Sequence, residues 1–209
     1  TAVSLSFDRG TLVVQGAARP EHAVWDARSG VFRAPAYLYP SVRAWADAHG
    51  GEVQDRVAQG FSPLPARVAA LDLRPYQADA LRSFLTLGKR GVVVLPTGSG
   101  KTRVALSVLR ALNVATVVLA PTRALVAQWR QVLAEIYPGP VGIGSDGELS
   151  LAAITVMTFE SAYRHLDRVG HHFGLVIVDE AHHFGGGVRV EALECLPAPF
   201  RLGLTAAAP

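Results

Sequence analysis

Cysteine is nearly absent from this chain of 209 residues. A single thiol, Cys195, excludes an internal disulfide framework and fits a reducing compartment. Its neighbours Leu193, Leu196 and Pro197 suit a packed, inert thiol better than a nucleophile. Long apolar runs are missing as well. Hydrophobic residues make up 50% of the chain, enough for a substantial core, yet no run approaches the ~20 residues that cross a bilayer. The opening Thr1-Ala2-Val3-Ser4 has no basic flank, so no signal peptide is expected, and the missing initiator methionine reads as a trimmed chain. Strong charge of either sign is also absent. A formal net charge of +3 permits a nucleic-acid partner without requiring one. Arginine far outnumbers lysine, which suits forked phosphate contacts but also follows from genome composition. Metal-ligand clusters are sparse. His171-His172 and His182-His183 are adjacent pairs with no cysteine beside them. Adjacent histidines are not expected to face one ion, which argues against zinc.

What is present changes character near residue 70, without any internal repeat. Before it, short β-type runs at residues 3–7, 12–14 and 31–34 are separated by glycine turns at Gly10, Gly16 and Gly30. A helix is expected next, with Ser41 as N-cap, Val42, Trp45 and Ala46 on one face, and Gly50-Gly51 as the stop. Residues 61–70 read as a linker behind a small α+β domain over 1–60, its Gly-Phe-Ser-Pro-Leu-Pro-Ala start (residues 60–66) being rich in breakers. Over 71–209, strands alternate with amphipathic helices. Strands are expected at 91–95, 116–120, 153–158, 175–179 and 201–205. One helix at 102–112 turns Val104, Ala105, Val108, Leu109 and Leu112 inward, and another at 123–137 turns Leu125, Trp129, Val132, Leu133 and Ile136 inward. That alternation predicts an α/β fold with a doubly wound parallel sheet, whose ligands bind beyond the C-terminal strand ends.

Two segments carry the sharpest chemistry. Residues 96–102 read Pro-Thr-Gly-Ser-Gly-Lys-Thr directly after the apolar run Val92-Val93-Val94-Leu95, and residues 179–183 read Asp-Glu-Ala-His-His directly after Leu175-Val176-Ile177-Val178. A glycine loop between strand and helix offers backbone N–H groups and a helix dipole to phosphate. Gly98 and Gly100 allow close approach, with Thr97 and Ser99 completing the cradle. Lys101 reaches the terminal phosphates, and the Thr102 hydroxyl can ligate magnesium. Leu95 departs from the common pattern, which has a glycine in that slot. Asp179 is expected to hold magnesium through water, and Glu180 to orient or polarise an attacking water. The plain readings, a Gly-Ser-Gly turn and a solvated acidic strand end, would have to coincide on two separate strand ends. ATP and Mg2+ are the expected cofactors.

Four weaker signals accompany them. In Leu73-Arg74-Pro75-Tyr76-Gln77, the Gln77 amide offers a donor and an acceptor to adenine, and Arg74 could stack on the base. The plain alternative is a helix start with proline at its first position. Pro121-Thr122-Arg123 follows a strand and opens a helix, so its N–H groups and Arg123 can grip a phosphate, or simply cap the helix. Thr158, in Thr158-Phe159-Glu160-Ser161, presents the same choice. Thr205-Ala206 ends the last strand near the acidic pair. Thr205 is expected to couple hydrolysis to strand movement through His182 or His183.

Taken in order, these segments resemble the motifs of superfamily 2 helicases and translocases. Leu73 to Gln77 is similar to the Q-motif region, and 96–102 to motif I, or Walker A. Ala120 to Arg123 is similar to motif Ia, 179–182 to the Asp-Glu-Ala-His box and 203–206 to motif III. Leu95 to Thr102, Asp179 to His183 and Ala198 to Thr205 look most like XPB-type DNA repair helicases. Asp8 to Val14 and Trp25 to Gly30 look like that family's small damage-recognition domain. The resemblance implies a RecA-like motor domain behind a DNA-recognition module. It also implies DNA as partner, a second RecA-like domain, a possible partner nuclease or repair factor, and a cytoplasmic, nucleoid-associated setting in a prokaryote, away from membranes. Ala207 stands where the family usually has threonine. The family's Arg-Glu-Asp element and its second motor domain with arginine fingers have no counterpart here. The chain alone is therefore expected to hydrolyse ATP poorly. Two other readings stay open: the motor half of a restriction-type translocase or RNA helicase, and a non-enzymatic module that binds distorted DNA or docks a partner.

Overall fold

The computed structural model describes residues 2–16, 18–49, 51–184 and 190–206. The first region is a five-stranded sheet: β1 (Val3–Asp8), β2 (Thr11–Gln15), β3 (Val24–Asp26), β4 (Val31–Pro35) and β5 (Val53–Asp55), in the order β3-β4-β2-β1-β5. β1 and β2 form a hairpin whose two turn residues, Arg9 and Gly10, both have positive φ, 47° and 78°. That is the twist-matched turn such tight hairpins need. Alternation along the hairpin buries Val3, Leu5, Leu12 and Val14 against α1 (Tyr39–His49), with Tyr39, Val42 and Ala46 turned inward. The helix begins before Ser41, so Ser41 lies in its first turn and caps nothing. Pro40 explains the earlier start, because a fixed φ and a missing N–H are tolerated there. Of the expected stop, Gly50 lies outside the described residues. β3 and β5 have three residues each, too short to show a period of two.

The second region is a seven-stranded sheet with strands β6 (Arg90–Val94), β7 (Thr116–Ala120), β8 (Val141–Ser145), β9 (Glu148–Ser150), β10 (Ile154–Thr158), β11 (Leu175–Val178) and β12 (Phe200–Thr205). The order is β6-β12-β11-β7-β10-β8-β9, parallel throughout except for β9, which runs antiparallel to β8. Helices α2 (Pro75–Thr86), α3 (Lys101–Leu112) and α4 (Arg123–Ile136) share one core with the sheet, while α5 (Phe159–Val169) and α6 (Val190–Glu194) lie on the other side. This is the doubly wound α/β architecture expected. Every residue of β7, β10 and β11 is buried. Val118 and Ala120 point to one core and Val117 and Leu119 to the other, which is why these strands read as unbroken apolar runs. The run ahead of the glycine loop differs: β6 is an edge strand, with Val92 and Val94 51% and 45% exposed.

β8 and β9 were not legible as strands. β8 reads Val-Gly-Ile-Gly-Ser, and a Cβ at Gly142 would come within 2.3 Å of the Ser150 carbonyl, so close backbone packing has replaced the apolar alternation. The Asp146-Gly147 turn between them, with φ of 54° and 79°, is the signal that marks the hairpin.

The segment between the two regions is packed. Leu64 is 8% exposed, Leu64 N–H donates to Asn113 O, and Ala115 N–H donates to Ser62 O. Phe7 stacks on His171 with ring centroids 4.7 Å apart. Gly60 lies so close to the His171 carbonyl that a Cβ would fall 1.6 Å from it. Gly10 abuts Cys195, where burial pushes the thiol pKa up, as an inert packed thiol requires. Among the described residues no helix is long and apolar enough to cross a membrane.

Candidate nucleotide site and nucleic-acid groove

The glycine loop joins the edge strand β6 to α3. Gly98 and Gly100 have φ of 76° and 79°, a region that favours glycine, and Gly100 is the residue before the helix. A Cβ on Gly98 would meet nothing within 4 Å, so the backbone there faces open space into which a phosphate can approach. Lys101 Nζ lies over the loop and donates to Leu95 O at 3.2 Å, and Thr102 follows in the first turn of α3. Thr97 is exposed, and the Ser99 hydroxyl bonds back to Pro96 O.

The start of α2 is fastened to that loop. Gln77 is 2% exposed, and its Nε2 donates to Ser99 O at 2.8 Å and more weakly to Gly100 O at 3.4 Å. Its Oε1 accepts from Arg74 N–H at 2.9 Å. Tyr76 Oη donates to the same Ser99 carbonyl at 2.8 Å. The Gln77 amide is thus engaged with protein and holds the loop, and Arg74 remains exposed at the helix start. Tyr76 was absent from the expected set.

Parallel registry carries the acidic pair to the same end of the sheet. Thr205 pairs with Val94, Val178 with Gly203, and Leu95 N–H donates to Thr205 O at 3.1 Å. Two strand spacings of about 4.8 Å therefore separate the ends of β6 and β11. Asp179 is held on three sides. Its N–H donates to Leu119 O at 2.8 Å, its Oδ1 accepts from Glu180 N–H at 2.9 Å, and its Oδ2 accepts from the Trp129 indole N–H at 2.9 Å. Glu180 has φ of 50°, an uncommon conformation for a non-glycine residue and one that gathers at functional sites. His182, rather than His183, reaches Thr205, with Nδ1 2.9 Å from Oγ1. Ala206 is exposed just beyond. The adjacent histidines lie closer to one another and to the acidic pair than their sequence positions suggest. Ligand atoms of Glu180, His182 and His183 all lie within 4.8 Å of one another, because the short 3-10 turn Ala181–Phe184 brings the two rings to 4.0 Å.

A groove of about 570 Å³ lies at the C-terminal ends of the neighbouring strands β7 and β10. It is lined by Pro121, Thr122, Arg123, Thr158 and Ser161, with Asp146 on one wall. Two helix N-termini open into it. Thr122 caps α4 by accepting from Leu125 N–H at 3.2 Å, and Thr158 caps α5 by accepting from Ser161 N–H at 3.1 Å. The plain reading of both threonines as helix caps therefore holds. Arg123 Nη1 donates to both Asp146 oxygens, at 3.0 Å to each. Both partners are exposed, and such pairs contribute about 0–1 kcal/mol. His165, also on the groove wall, has its pKa lowered by burial and by nearby arginines.

Residues 70–209 match the family model described as the type III restriction enzyme, res subunit. The chain belongs to this family. Residues 5–57 match a second model, the xeroderma pigmentosum group B helicase damage recognition domain, so the XPB-type resemblance read from the motifs extends through both regions. Among curated relatives, the DNA 3'-5' translocase XPB2 of Sulfurisphaera tokodaii is 37% identical over 87% of this chain and 41% of its own length. The putative DNA 3'-5' helicase Rad25 of Halobacterium salinarum is 36% identical over 73% of this chain and 26% of its own. The chain thus spans less than half the length of these relatives. Among solved structures, the UvsW helicase of bacteriophage T4 overlays 99% of this chain and 93% of its own at TM-score 0.57 and 15% identity, a likeness of fold. The Pyrococcus furiosus Hef helicase domain overlays 67% of this chain and 34% of its own at TM-score 0.56 and 26% identity. For a member of this family the residue least foreseen is Trp129. Its helical spacing marks it as apolar core, which it is, and nothing in the local sequence points to the carboxylate 50 positions away.

Proposed function

We propose that this chain is the N-terminal half of an ATP-dependent DNA helicase or translocase of XPB type that acts in DNA repair. The observation that carries the reading is the convergence of the glycine loop and the Asp179-Glu180 pair at one end of a parallel sheet. The residues fit the cofactors. The loop and α3 offer free space at Gly98, a lysine and the Thr102 hydroxyl, and the end of β11 offers Asp179; both oxygens are of the donor type magnesium prefers. Magnesium with ATP would supply charge neutralisation on the β and γ phosphates. Lys101 and the backbone of residues 97–100 bind phosphate, and Thr102 and Asp179 hold the metal. Glu180 orients water and takes up its proton. Arg74 covers the base. Gln77 fastens the start of α2 to the loop and has one acceptor position left on Oε1 for adenine. His182 and Thr205, with Ala206 beyond, link the acidic pair to the end of β12.

DNA backbone lies in the groove of Pro121, Thr122, Arg123 and Thr158, where two helix N-termini and one exchangeable arginine suit phosphate. A second RecA-like domain supplies arginine fingers, so the chain by itself turns over slowly. The DNA 3'-5' activities in the relatives' names and the damage recognition domain matched at residues 5–57 favour repair DNA as substrate. The restriction-type reading draws on the name of the family model over 70–209. Stimulation of the longer protein by damaged or forked duplex, rather than by intact duplex or RNA, separates the two. The site itself is tested with Glu180→Gln in the longer protein. ATP turnover should fall by about 10²–10⁴-fold while affinity for a fluorescent ATP analogue stays within twofold. Unchanged turnover would remove Glu180 from the mechanism.

A further inference from the structure

The Trp129–Asp179 contact stands out among the buried polar contacts near the strand ends. Trp129 is 2% exposed in the core between α4 and the sheet, yet its single donor is aimed at a carboxylate at a strand end. An indole N–H donates only and has no other use for a buried partner. The carboxylate in turn has about four acceptor positions. Trp129 and Glu180 N–H occupy one on each oxygen, which leaves two for a ligand. The backbone adds to the hold. Asp179 N–H is bonded to Leu119 O on β7, the strand that runs through Pro121-Thr122 directly into α4. The β7–α4 unit therefore grips Asp179 at main chain and side chain together. Any buried indole N–H needs an acceptor, and here the acceptor is a carboxylate at the acidic strand end, so the bond also restrains that carboxylate.

We propose that Trp129 is a positioning residue for the metal-holding carboxylate. It sets the rotation of Asp179, so that the free acceptor positions face the phosphates of a magnesium nucleotide. The proposal rests on the ATP–magnesium reading above. Partners that orient a metal ligand typically carry about 10–100-fold in metal affinity when removed.

The test uses Trp129→Phe and Asp179→Asn, singly and together, and a fluorescent ATP analogue titrated with magnesium or with EDTA. Trp129→Phe keeps an aromatic ring in the core and removes the donor. It should weaken magnesium-dependent binding by about 10-fold, leave binding in EDTA unchanged, and add nothing in the Asp179→Asn background. Should Trp129→Phe lower thermal stability but leave the magnesium dependence as it was, the residue is core only and the proposal fails. Should Asp179→Asn itself leave the magnesium dependence untouched, the ATP–magnesium reading fails instead. A measurement independent of the tryptophan variant follows the Trp129 indole N–H resonance. Its hydrogen exchange should quicken in Asp179→Ala, and unchanged exchange would show that the bond orients nothing.

Discussion

The sheet of residues 3–55 and the sheet of residues 90–205 employ their polar side chains in opposite ways. In the first, charges satisfy one another within the module. Arg33 bonds both Asp8 and Asp26, and Arg43 bonds both Asp47 and Asp55. Tyr39 Oη donates to Asp55 at 2.6 Å, while the other Asp55 oxygen caps Val57 and Ala58 N–H. The Ser29 hydroxyl and then Arg33 hold the Asp26 carboxyl down to about 2. In the second, the central strands β7, β10 and β11 are buried along their length, and the polar groups of the candidate site gather where those strands end. There Gln77, Thr122, Thr158 and Trp129 each orient a loop, a helix start or a carboxylate rather than neutralise a partner. The difference teaches where a ligand can enter. A self-satisfied network stabilises its own fold, whereas groups oriented by neutral donors keep charge and acceptor positions for something else.

Three changes would sharpen or break that contrast. The largest effect is expected from Asp55→Ala. The Asp55 side chain is 5% exposed, and its loss leaves Arg43, Tyr39 and two backbone N–H groups short of an acceptor. Each buried donor left without a partner costs about 1–3 kcal/mol, and several are left here together. Urea unfolding should show the first region melting early with the seven-stranded sheet intact. An unchanged midpoint would mean that the network does not stabilise the module. Gly60→Ala should come next, at about 1–3 kcal/mol, because the added Cβ collides with the His171 carbonyl and must part the two regions. A lowered midpoint common to both regions would show that they unfold as one body, whereas separate transitions would show two.

The smallest effect concerns pH. Burial, then the neighbouring His172, lowers the pKa of His171 beneath Phe7. The folded state therefore binds this proton less readily than the unfolded chain does. The contribution is whole above the ordinary value of 6.5 and is lost as pH falls below it toward the folded pKa. His171→Gln should flatten that limb of a thermal-stability profile between pH 7 and 5, and an unaltered profile would place the titration elsewhere.

The parts of the site that could be read in advance are those contiguous in the chain. Pro96 to Thr102 and Asp179 to His183 each hold their chemistry within a few residues, behind an apolar run that marks the strand. The parallel sheet followed from alternation, and among its described strands the glycine-laced β8 and the three-residue β9 escaped it, as did the three-residue β3 and β5 in the first sheet. Ser41 failed as a cap because proline tolerance at a helix start outweighed hydroxyl preference. Gln77 illustrates a different limit. An amide can serve a base and a backbone at once, and only the tertiary structure shows that Nε2 is engaged with Ser99 O while Oε1 keeps an acceptor position.

Residue types and local spacing by themselves determined a glycine loop, an acidic strand end, an apolar parallel sheet and the order in which they occur. These depend on backbone freedom, side-chain chemistry and periodicity, all of which act over a few positions. Tertiary structure alone decided that β6 is an edge strand, that Arg123 faces Asp146, that His182 rather than His183 meets Thr205, and that a buried tryptophan turns its one donor to Asp179. Each of those outcomes depends on which strand lies beside which. Strand order is settled by the packing of both cores at once, and no window of sequence contains it.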